Sequence, residues 1–216
     1  MKSFVKGVLI LITLAVVSAV IYLVFLYPNH KYSLNNLGSD PVSLQSFLTK
    51  KLPKNFSLKN KKIQTEIEIS EEDLENLIMS NVNKDERIQA IDVVIENNSL
   101  RIFISQKMMK YIPVEASLLF KPGIEDDKAK LVLEESKFGR FKLSKKKVLE
   151  KMMNADVRFF QARPLEGDII LEDSELKDTL RVTNINFKDK KVFLGIELEV
   201  TSIEDFMKVI DMFTKK

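Results

Sequence analysis

The longest apolar stretch of the chain lies at its N-terminus. Twenty residues from Val8 to Tyr27 carry no charge, and Lys2 and Lys6 precede them. At about 1.5 Å per residue, a helix of this length spans roughly 30 Å, the hydrocarbon thickness of a bilayer. The positive-inside rule keeps both lysines cytoplasmic and places the rest of the chain outside the cytoplasm. A cleaved signal peptide is the alternative, but the apolar run continues beyond the small residues at 17–19 and exceeds the usual length of such a segment.

A second pattern, apolar residues at helical spacing, begins at a capping box. Ser70 and Asp73 stand three residues apart, as the reciprocal capping bonds of a helix N-terminus require. We therefore predict a helix over 70–82. Two further amphipathic helices are predicted to begin at Ser144 and Ser202. The apolar face of the first helix consists of Leu74, Leu77, Ile78 and Val82.

Most of the remaining apolar residues alternate with polar ones, which is the period of a half-buried strand. Asn97-Asn98 and residues 188–191 separate paired runs and predict β-hairpins. Pro113 predicts an edge position or a bulge in its strand, and residues 121–127 are predicted to form a turn. Short alternating runs favour an antiparallel meander. These runs cover residues 63–69, 87–105, 111–120, 129–143, 181–187 and 191–200.

These patterns divide the chain into three parts: a cytoplasmic tip and anchor (1–27), a linker or stalk with a short helix (28–62), and an α+β domain (63–216). Pro28, Gly38 and Pro41 punctuate the linker rather than build regular structure. Between residues 50 and 62 there are six lysines and no acid. A solvated, mobile stalk is the favoured interpretation, and a contact with anionic headgroups or wall polymers is the alternative.

The two predicted hairpins superpose when the chain is shifted by 92 residues. Asn97 then coincides with Asp189, and Val93 with Ile185. A predicted helix precedes each hairpin, which suggests an internal duplication. Hairpins of this size also align by alternation alone, and this second explanation is the one we favour.

Composition and charge exclude several classes of function. The 216 residues include no cysteine, which rules out disulfides, thiolate metal sites and a cysteine nucleophile. The net charge of +3 gives no bulk electrostatic case for nucleic acid. His30 is the only histidine and lies in the linker, which excludes a Ser-His-Asp triad or a histidine metal site inside the domain. We expect a protein that is not an enzyme, without catalytic residues, metal or cofactor.

The order of these segments resembles a known family. A single N-terminal membrane helix precedes "ISEEDLENLIMSNV", "IDVVIENNSLRIFIS", "IPVEASLLFKP" and "LRVTNINFKDKKVFLGIELE". Over roughly residues 5 to 200 this arrangement resembles the YpmS-like proteins of Firmicutes, which are small anchored proteins of unknown function. More remotely it is similar to tubular lipid-binding domains, in which a curved sheet wraps a helix. The resemblance implies an α+β fold: one transmembrane helix followed by an extracytoplasmic, curved antiparallel sheet packed on amphipathic helices.

Two functions of different class follow from this interpretation. In the first, the domain binds or handles a lipid or lipid-linked envelope precursor at the cell membrane. In the second, it is a non-catalytic scaffold or regulator of a membrane or cell-wall enzyme. The expected partners are therefore the membrane, a lipid and an envelope enzyme, without nucleic acid. Candidate lipid-lining residues are Leu74, Leu77, Ile78, Met79, Phe103 and Met152.

Three consecutive lysines supply a candidate polar contact. Lys145, Lys146 and Lys147 crowd the start of the helix predicted from Ser144, where the helix dipole disfavours cations. An anionic headgroup or surface would offset that repulsion. A solvated run of charge is the alternative, and it is the commoner situation.

Overall fold

The computed structural model describes most of the chain, in eight stretches. These are residues 2–32, 44–51, 57–59, 62–81, 87–108, 111–154, 160–171 and 180–199. The helix predicted from Ser202, and Val82 at the end of the first amphipathic helix, lie outside the described residues.

The N-terminal apolar run forms one continuous helical rod, as predicted. Helix α1 (Lys2–Ile21) leads into a π-helical turn (Tyr22–Leu26). The stretch from Lys6 to Leu26 is long and apolar enough to cross a bilayer, and none of its side chains is fully buried in the molecule.

The remaining elements form a sheet-rich domain with few helices, and the described bounds follow the predicted alternation closely. The elements in chain order are α2 (Leu44–Lys51), β1 (Ser57–Lys59), β2 (Lys62–Ser70), α3 (Glu71–Asn81), β3 (Ile88–Glu96), β4 (Ser99–Met108), β5 (Ile112–Glu125), β6 (Lys128–Phe138), β7 (Phe141–Lys142), α4 (Lys145–Met153), β8 (Phe160–Arg163), β9 (Asp168–Leu171), β10 (Leu180–Lys188) and β11 (Lys191–Glu199).

The strands make two antiparallel sheets. One has four strands in the order β1-β2-β11-β10, and the other has seven, in the order β3-β4-β5-β6-β9-β8 with β7 paired to β6. The run from β3 to β6 is the predicted meander, since each strand pairs with its successor. The two sheets meet where the Val182 backbone N–H donates to the Asp127 carbonyl, at 2.7 Å.

Three hairpins turn over two residues that both have positive φ, at 97–98, 126–127 and 189–190. This is the turn geometry that matches the right-handed twist of the flanking strands. One predicted turn is wrong in extent: Pro122 and Gly123 lie within β5, opposite Leu131 and Lys130 of β6. Proline is tolerated there because the pairing of β5 with β4 ends at Phe120, so the missing N–H of Pro122 removes no bond of that pair.

Buried side chains form two apolar clusters, one on each sheet. The cluster on the four-stranded sheet includes Ile63, Ile67 and Ile196, together with Phe47 and Leu48 of α2. The cluster on the seven-stranded sheet includes Val93, Phe120 and Leu133, with Leu149 of α4 fully buried among them. Burying an aliphatic or aromatic side chain contributes about 1.5–3 kcal/mol, so these clusters supply much of the stability.

Helix α3 joins the two clusters and covers an open strand edge. Its predicted capping box is present: the Ser70 N–H donates to the Asp73 carboxylate at 2.9 Å, and the Asp73 N–H donates to the Ser70 hydroxyl at 3.2 Å. On the same helix, Glu71 and Glu75 accept the backbone N–H groups of Ile95 and Val93 at 2.8 and 3.0 Å. Two carboxylates thus satisfy donors on the outer edge of β3, which would otherwise be open to another strand.

The segment expected to be a stalk is partly structured. Ser57–Lys59 pairs with β2 as strand β1, and Lys62 already belongs to β2. The predicted short helix of this segment is α2, and its Phe47 and Leu48 are buried in the four-stranded cluster.

Candidate functional site

Two helices leave a partly exposed apolar seam on the seven-stranded sheet. Leu74 and Ile78 of α3, and Val148 and Met152 of α4, are half-buried and pack against the same cluster. We call these four residues the apolar seam. Because all four residues border one buried cluster of the seven-stranded sheet, the seam offers partly exposed apolar surface beside that cluster. Such a surface can hold an apolar chain without requiring polar partners.

The structure brings together some of the predicted lipid-lining residues and separates the others. Leu74, Ile78 and Met152 lie in the seam. Leu77 belongs to the four-stranded cluster, and Met79 is buried. Phe103 lies on the opposite face of the seven-stranded sheet from the seam, because its neighbour Ile102 packs against the cluster beneath the seam.

Phe103 has a different partner, namely the only histidine. The His30 ring stacks on the Phe103 ring with centroids 3.9 Å apart and planes 4° apart. His30 Nε2 also contacts the Asp92 carboxylate, and Asp92 lies directly opposite Phe103 in the β3–β4 pair. We predicted from the sequence that His30 lies in the linker. In the structure, His30 instead packs on the seven-stranded sheet.

The residues around His30 attach to a second carboxylate. Glu115 of β5 accepts the backbone N–H of His30 at 3.0 Å and the hydroxyl of Tyr32 at 3.1 Å. Burial raises the pKa of Tyr32 well above its usual value, and the charge of Glu115 and its hydrogen bond act in the same direction. Tyr32 therefore stays a neutral donor over the whole physiological range.

Neighbouring side chains lower the pKa of Asp92. Burial alone would raise the pKa of Asp92, but hydrogen bonds with Glu75 and His30 and the charge of His30 outweigh it and lower the pKa. Asp92 is thus ionised when it faces His30. The contact between Asp92 and His30 contributes modestly, about 0–1 kcal/mol, because both side chains stay partly exposed to solvent.

The end of the apolar rod also packs on this sheet. The Tyr22 hydroxyl donates to the Pro113 carbonyl at 3.0 Å, and the Arg140 N–H donates to the Phe25 carbonyl at 2.8 Å. The Phe25 ring stacks on Phe141, with centroids 5.2 Å apart. Residues 22–32, which we call the exit segment, therefore follow the seven-stranded sheet from the rod's last turns to Tyr32.

A glycine makes this close approach feasible. Gly139 has φ +56°, and a Cβ placed there would overlap the Phe25 carbonyl oxygen. Glycine alone tolerates both the left-handed backbone and the absence of side-chain space. The Gly139 N–H donates to the Glu115 carbonyl at 2.6 Å, which ties the same turn to β5.

The predicted lysine run lies next to this turn. Lys145, Lys146 and Lys147 open α4 and are exposed. Lys146 and Glu150 are 4.0 Å apart, a surface pair one helical turn apart that leaves the run strongly basic. The run begins four residues after Phe141, the residue that stacks on the rod.

A second group of charges is satisfied within the fold. Arg163 donates two hydrogen bonds, of 2.7 and 2.8 Å, to the carboxylate of Asp168, which is 1% exposed. Arg163 also contacts Glu125. Lys130 reaches Glu125 at 2.5 Å and Asp168 at 3.1 Å. Hydrogen bonds from Arg163 and Lys130 lower the pKa of Glu125 to about 2. This balanced set joins β5, β6, β8 and β9 and acts structurally.

Among the described residues, no three His, Asp or Glu side chains are placed to hold a metal ion. The absence of catalytic and cofactor residues stays a prediction from the sequence. The contacts of His30 give its ring a packing and hydrogen-bonding role on the sheet.

Several residues of this site could not be predicted from the sequence. Glu115, Gly139 and Arg140 carry no local signal of an approaching helix end. Asp92 and Phe103 did carry one, since a charge interrupts an apolar run on β3 and an aromatic ring lies on the otherwise polar face of β4. Such a signal indicates that something covers that face but does not say what.

Comparison of the chain with profiles of known protein families, with curated protein sequences and with solved structures finds no match.

Proposed function

We propose that this chain is a single-pass protein of the cell membrane that holds a lipid, or the lipid part of an envelope precursor, in the apolar seam. Its N-terminus lies in the cytoplasm, and the domain lies outside. The segment order remotely resembles the tubular lipid-binding architecture, in which a curved sheet wraps a helix, and this likeness supports a lipid as the ligand. The resemblance to YpmS-like proteins supports this assignment of place and fold.

The observation that carries the proposal is the seam itself. Four half-buried apolar side chains from two helices pack against one buried apolar cluster of the seven-stranded sheet. Met152 suits this role because an unbranched thioether side chain adapts to ligands of different shape.

The contact between the rod and the sheet supplies the second support. The rod's last turns touch Pro113, Arg140 and Phe141 directly, so a membrane-spanning rod holds the domain at the bilayer surface. The seam therefore belongs to a domain that the rod keeps close to the bilayer, the source of the lipid.

The proposal is tested by measuring lipid and stability on the same variants of the full chain. Met152→Trp fills the seam, and we expect it to lower the amount of co-purified lipid in native mass spectrometry with little change in melting temperature. The matched control is Met153→Trp at the next position, which is 55% exposed and should change neither quantity. If the seam is closely packed, Met152→Trp will instead destabilise the domain by about 1–3 kcal/mol. Loss of stability in a protein that never carries lipid would contradict the proposal.

A second candidate function is a scaffold or regulator of a membrane or cell-wall enzyme. It is favoured by two exposed apolar residues away from the exit segment: Leu165 on the β8–β9 turn, 82% exposed, and Ile124 near the end of β5, 42% exposed. The contact of Arg163 with Glu125 brings these two regions close together. Changing Leu165 to Ser should then reduce co-purification of an envelope enzyme while leaving lipid content unchanged.

A further inference from the structure

The surface beside the exit segment combines positive charge with exposed apolar side chains. Residues 140–147, with the sequence RFKLSKKK, contain five basic residues and no acid. We call this stretch the basic segment. Phe141 and Leu143 within it are 48% and 41% exposed, and every residue from Arg140 to Lys147 is exposed. Large apolar side chains set among cations are typical of surfaces that meet a membrane interface.

The position of the basic segment follows from backbone contact with the rod. Arg140 bonds to the carbonyl of Phe25, one residue before the end of the apolar stretch at Leu26. At about 1.5 Å per helical residue, this bond lies within a few ångströms of the level at which the rod leaves the hydrocarbon. The Pro113 carbonyl of β5 also contacts the rod, at Tyr22, and Tyr111, two residues before Pro113, is 86% exposed.

We propose that the basic segment, together with Tyr111, rests on the anionic surface of the bilayer that the rod spans. This proposal depends on the rod being a membrane anchor, as proposed above, but it does not depend on lipid binding in the seam. Phe141, Leu143 and Tyr111 enter the headgroup region, where aromatic and apolar side chains are favoured. The lysines and Arg140 meet anionic headgroups, whose potential attracts cations near the surface. The surface continues the contact already made by Phe25, and its charge complements the lipid.

The chain has no tryptophan, so one substitution creates a unique fluorescent reporter. We choose Leu143→Trp in the full chain, because Leu143 is exposed while its backbone N–H bonds to Ser136 at 2.8 Å and does not depend on the side chain. The protein is placed in vesicles that are half acyl-brominated phosphatidylcholine. The other half is either plain phosphatidylcholine or phosphatidylglycerol, so that the quencher is constant while the charge changes. The matched control is Leu165→Trp, which lies outside the basic segment.

We expect the Leu143→Trp emission to be quenched about twofold more in anionic than in neutral vesicles, because surface charge draws the basic segment inward. Replacing Lys142, Lys145, Lys146 and Lys147 with Gln should abolish that difference. Leu165→Trp should stay unquenched in both mixtures. Circular dichroism of each variant verifies that the domain is folded.

Two results would overturn the proposal. Quenching of Leu143→Trp that is equal in the two mixtures, and unchanged by the Gln substitutions, would show proximity without an anionic contact. Quenching no stronger than that of Leu165→Trp would show that the segment does not reach the bilayer. A chain that fails to float with vesicles would contradict the anchor and therefore both proposals, whereas missing co-purified lipid alone would contradict only lipid binding in the seam.

Discussion

The hairpins β3–β4 and β10–β11 have the same local geometry but carry different contacts. Both turn over two residues with positive φ, and their turns lie 92 positions apart in the sequence. Equivalent residues therefore hold equivalent cross-strand positions: Asp92 lies opposite Phe103, and Asn184 lies opposite Gly195. The inner faces of both hairpins are apolar and support the two clusters.

The two hairpins differ in one cross-strand pair on the outer face, which we call the outer pair: Asp92 and Phe103 in the first hairpin, Asn184 and Gly195 in the second. Asp92 and Phe103 bind and cover His30, so the first hairpin holds the exit segment. At the equivalent position of the second hairpin, a Cβ on Gly195 would lie 2.9 Å from the Thr183 hydroxyl and 3.1 Å from the Asn184 Cβ. The alternation of apolar residues therefore determines a hairpin, while one cross-strand pair on the other face determines what the hairpin binds.

The largest expected effect tests whether the two inner faces are equivalent. Leu100 and Val192 occupy matching positions and are both buried, at 6% and 9% exposure. Leu100→Ala should cost about 2–5 kcal/mol because it leaves a cavity. Val192→Ala should cost about 1.5–3 kcal/mol, since fewer methyl groups are lost. Urea unfolding of the full chain measures both, and a near-zero loss in either would mean that the hairpin's inner face is misassigned.

A second prediction concerns the charges that brace the seven-stranded sheet. Burial raises the pKa of Asp168, but hydrogen bonds and charges from Arg163 and Lys130 outweigh it and lower the pKa. A carboxylate with a lowered pKa adds stability at pH values above its unfolded pKa, about 4, and that stability is lost as the pH falls through the folded pKa. Asp168→Asn should cost about 1.5–3 kcal/mol at pH 7. The difference from the wild type should shrink toward pH 2 in urea titrations at several pH values, and a difference independent of pH would contradict this explanation.

A third prediction distinguishes the effect of the rod's contact with Gly139 from the effect of backbone strain alone. Gly139 and Gly167 both have positive φ, but a Cβ would overlap the Phe25 carbonyl only at Gly139. Each change to Ala should cost about 1–2 kcal/mol for the left-handed backbone. Gly139→Ala should in addition displace the rod, which amide hydrogen exchange of residues 22–32 would detect. Equal exchange in the two variants would indicate that the rod does not pack on this turn.

The smallest expected effect lies at the outer pair itself. Asp92→Asn removes the charge that faces His30 and should cost about 0.5–1 kcal/mol, because both side chains are partly exposed. Exchange should rise at residues 28–32, while Asn184→Ala in the second hairpin should leave that segment unchanged. The wild-type contact should weaken in acid, since Asp92 has a lowered pKa and loses its charge only below the usual range of an aspartate. Exchange that is insensitive to both substitutions would contradict the role of this pair.

Much of the fold could be predicted because its signals are local. The capping box at Ser70, the hairpin turn at Asn97-Asn98 and the helix after Ser144 each depend on residues within a few positions of one another. The β8–β9 hairpin was missed because its strands have only four residues, too few to show alternation around the turn at 164–167. Pro122 was assigned to a turn because proline and glycine are typical of turns, whereas here both residues lie in β5 beyond the end of its pairing with β4.

The site was less predictable because its contacts join distant residues. The seam residues Leu74, Ile78 and Met152 were identified from helical spacing, yet spacing could not separate them from Leu77, which faces the other sheet. The contact between His30 and Asp92 joins residues 62 positions apart and depends on the exit segment folding back onto the sheet. Neither composition nor periodicity contains that information.

The central claim, that the first hairpin and not the second holds the exit segment, can be tested directly by cross-linking. The chain has no cysteine, so two substitutions create a unique pair. In the full chain in native membranes, the pair His30→Cys and Asp92→Cys should be joined by a short thiol-to-thiol reagent. The pair His30→Cys and Asn184→Cys, at the equivalent position of the other hairpin, should not be joined. Efficient cross-linking of the first pair alone is the predicted result, and equal yields for the two pairs, or none for the first, would contradict it.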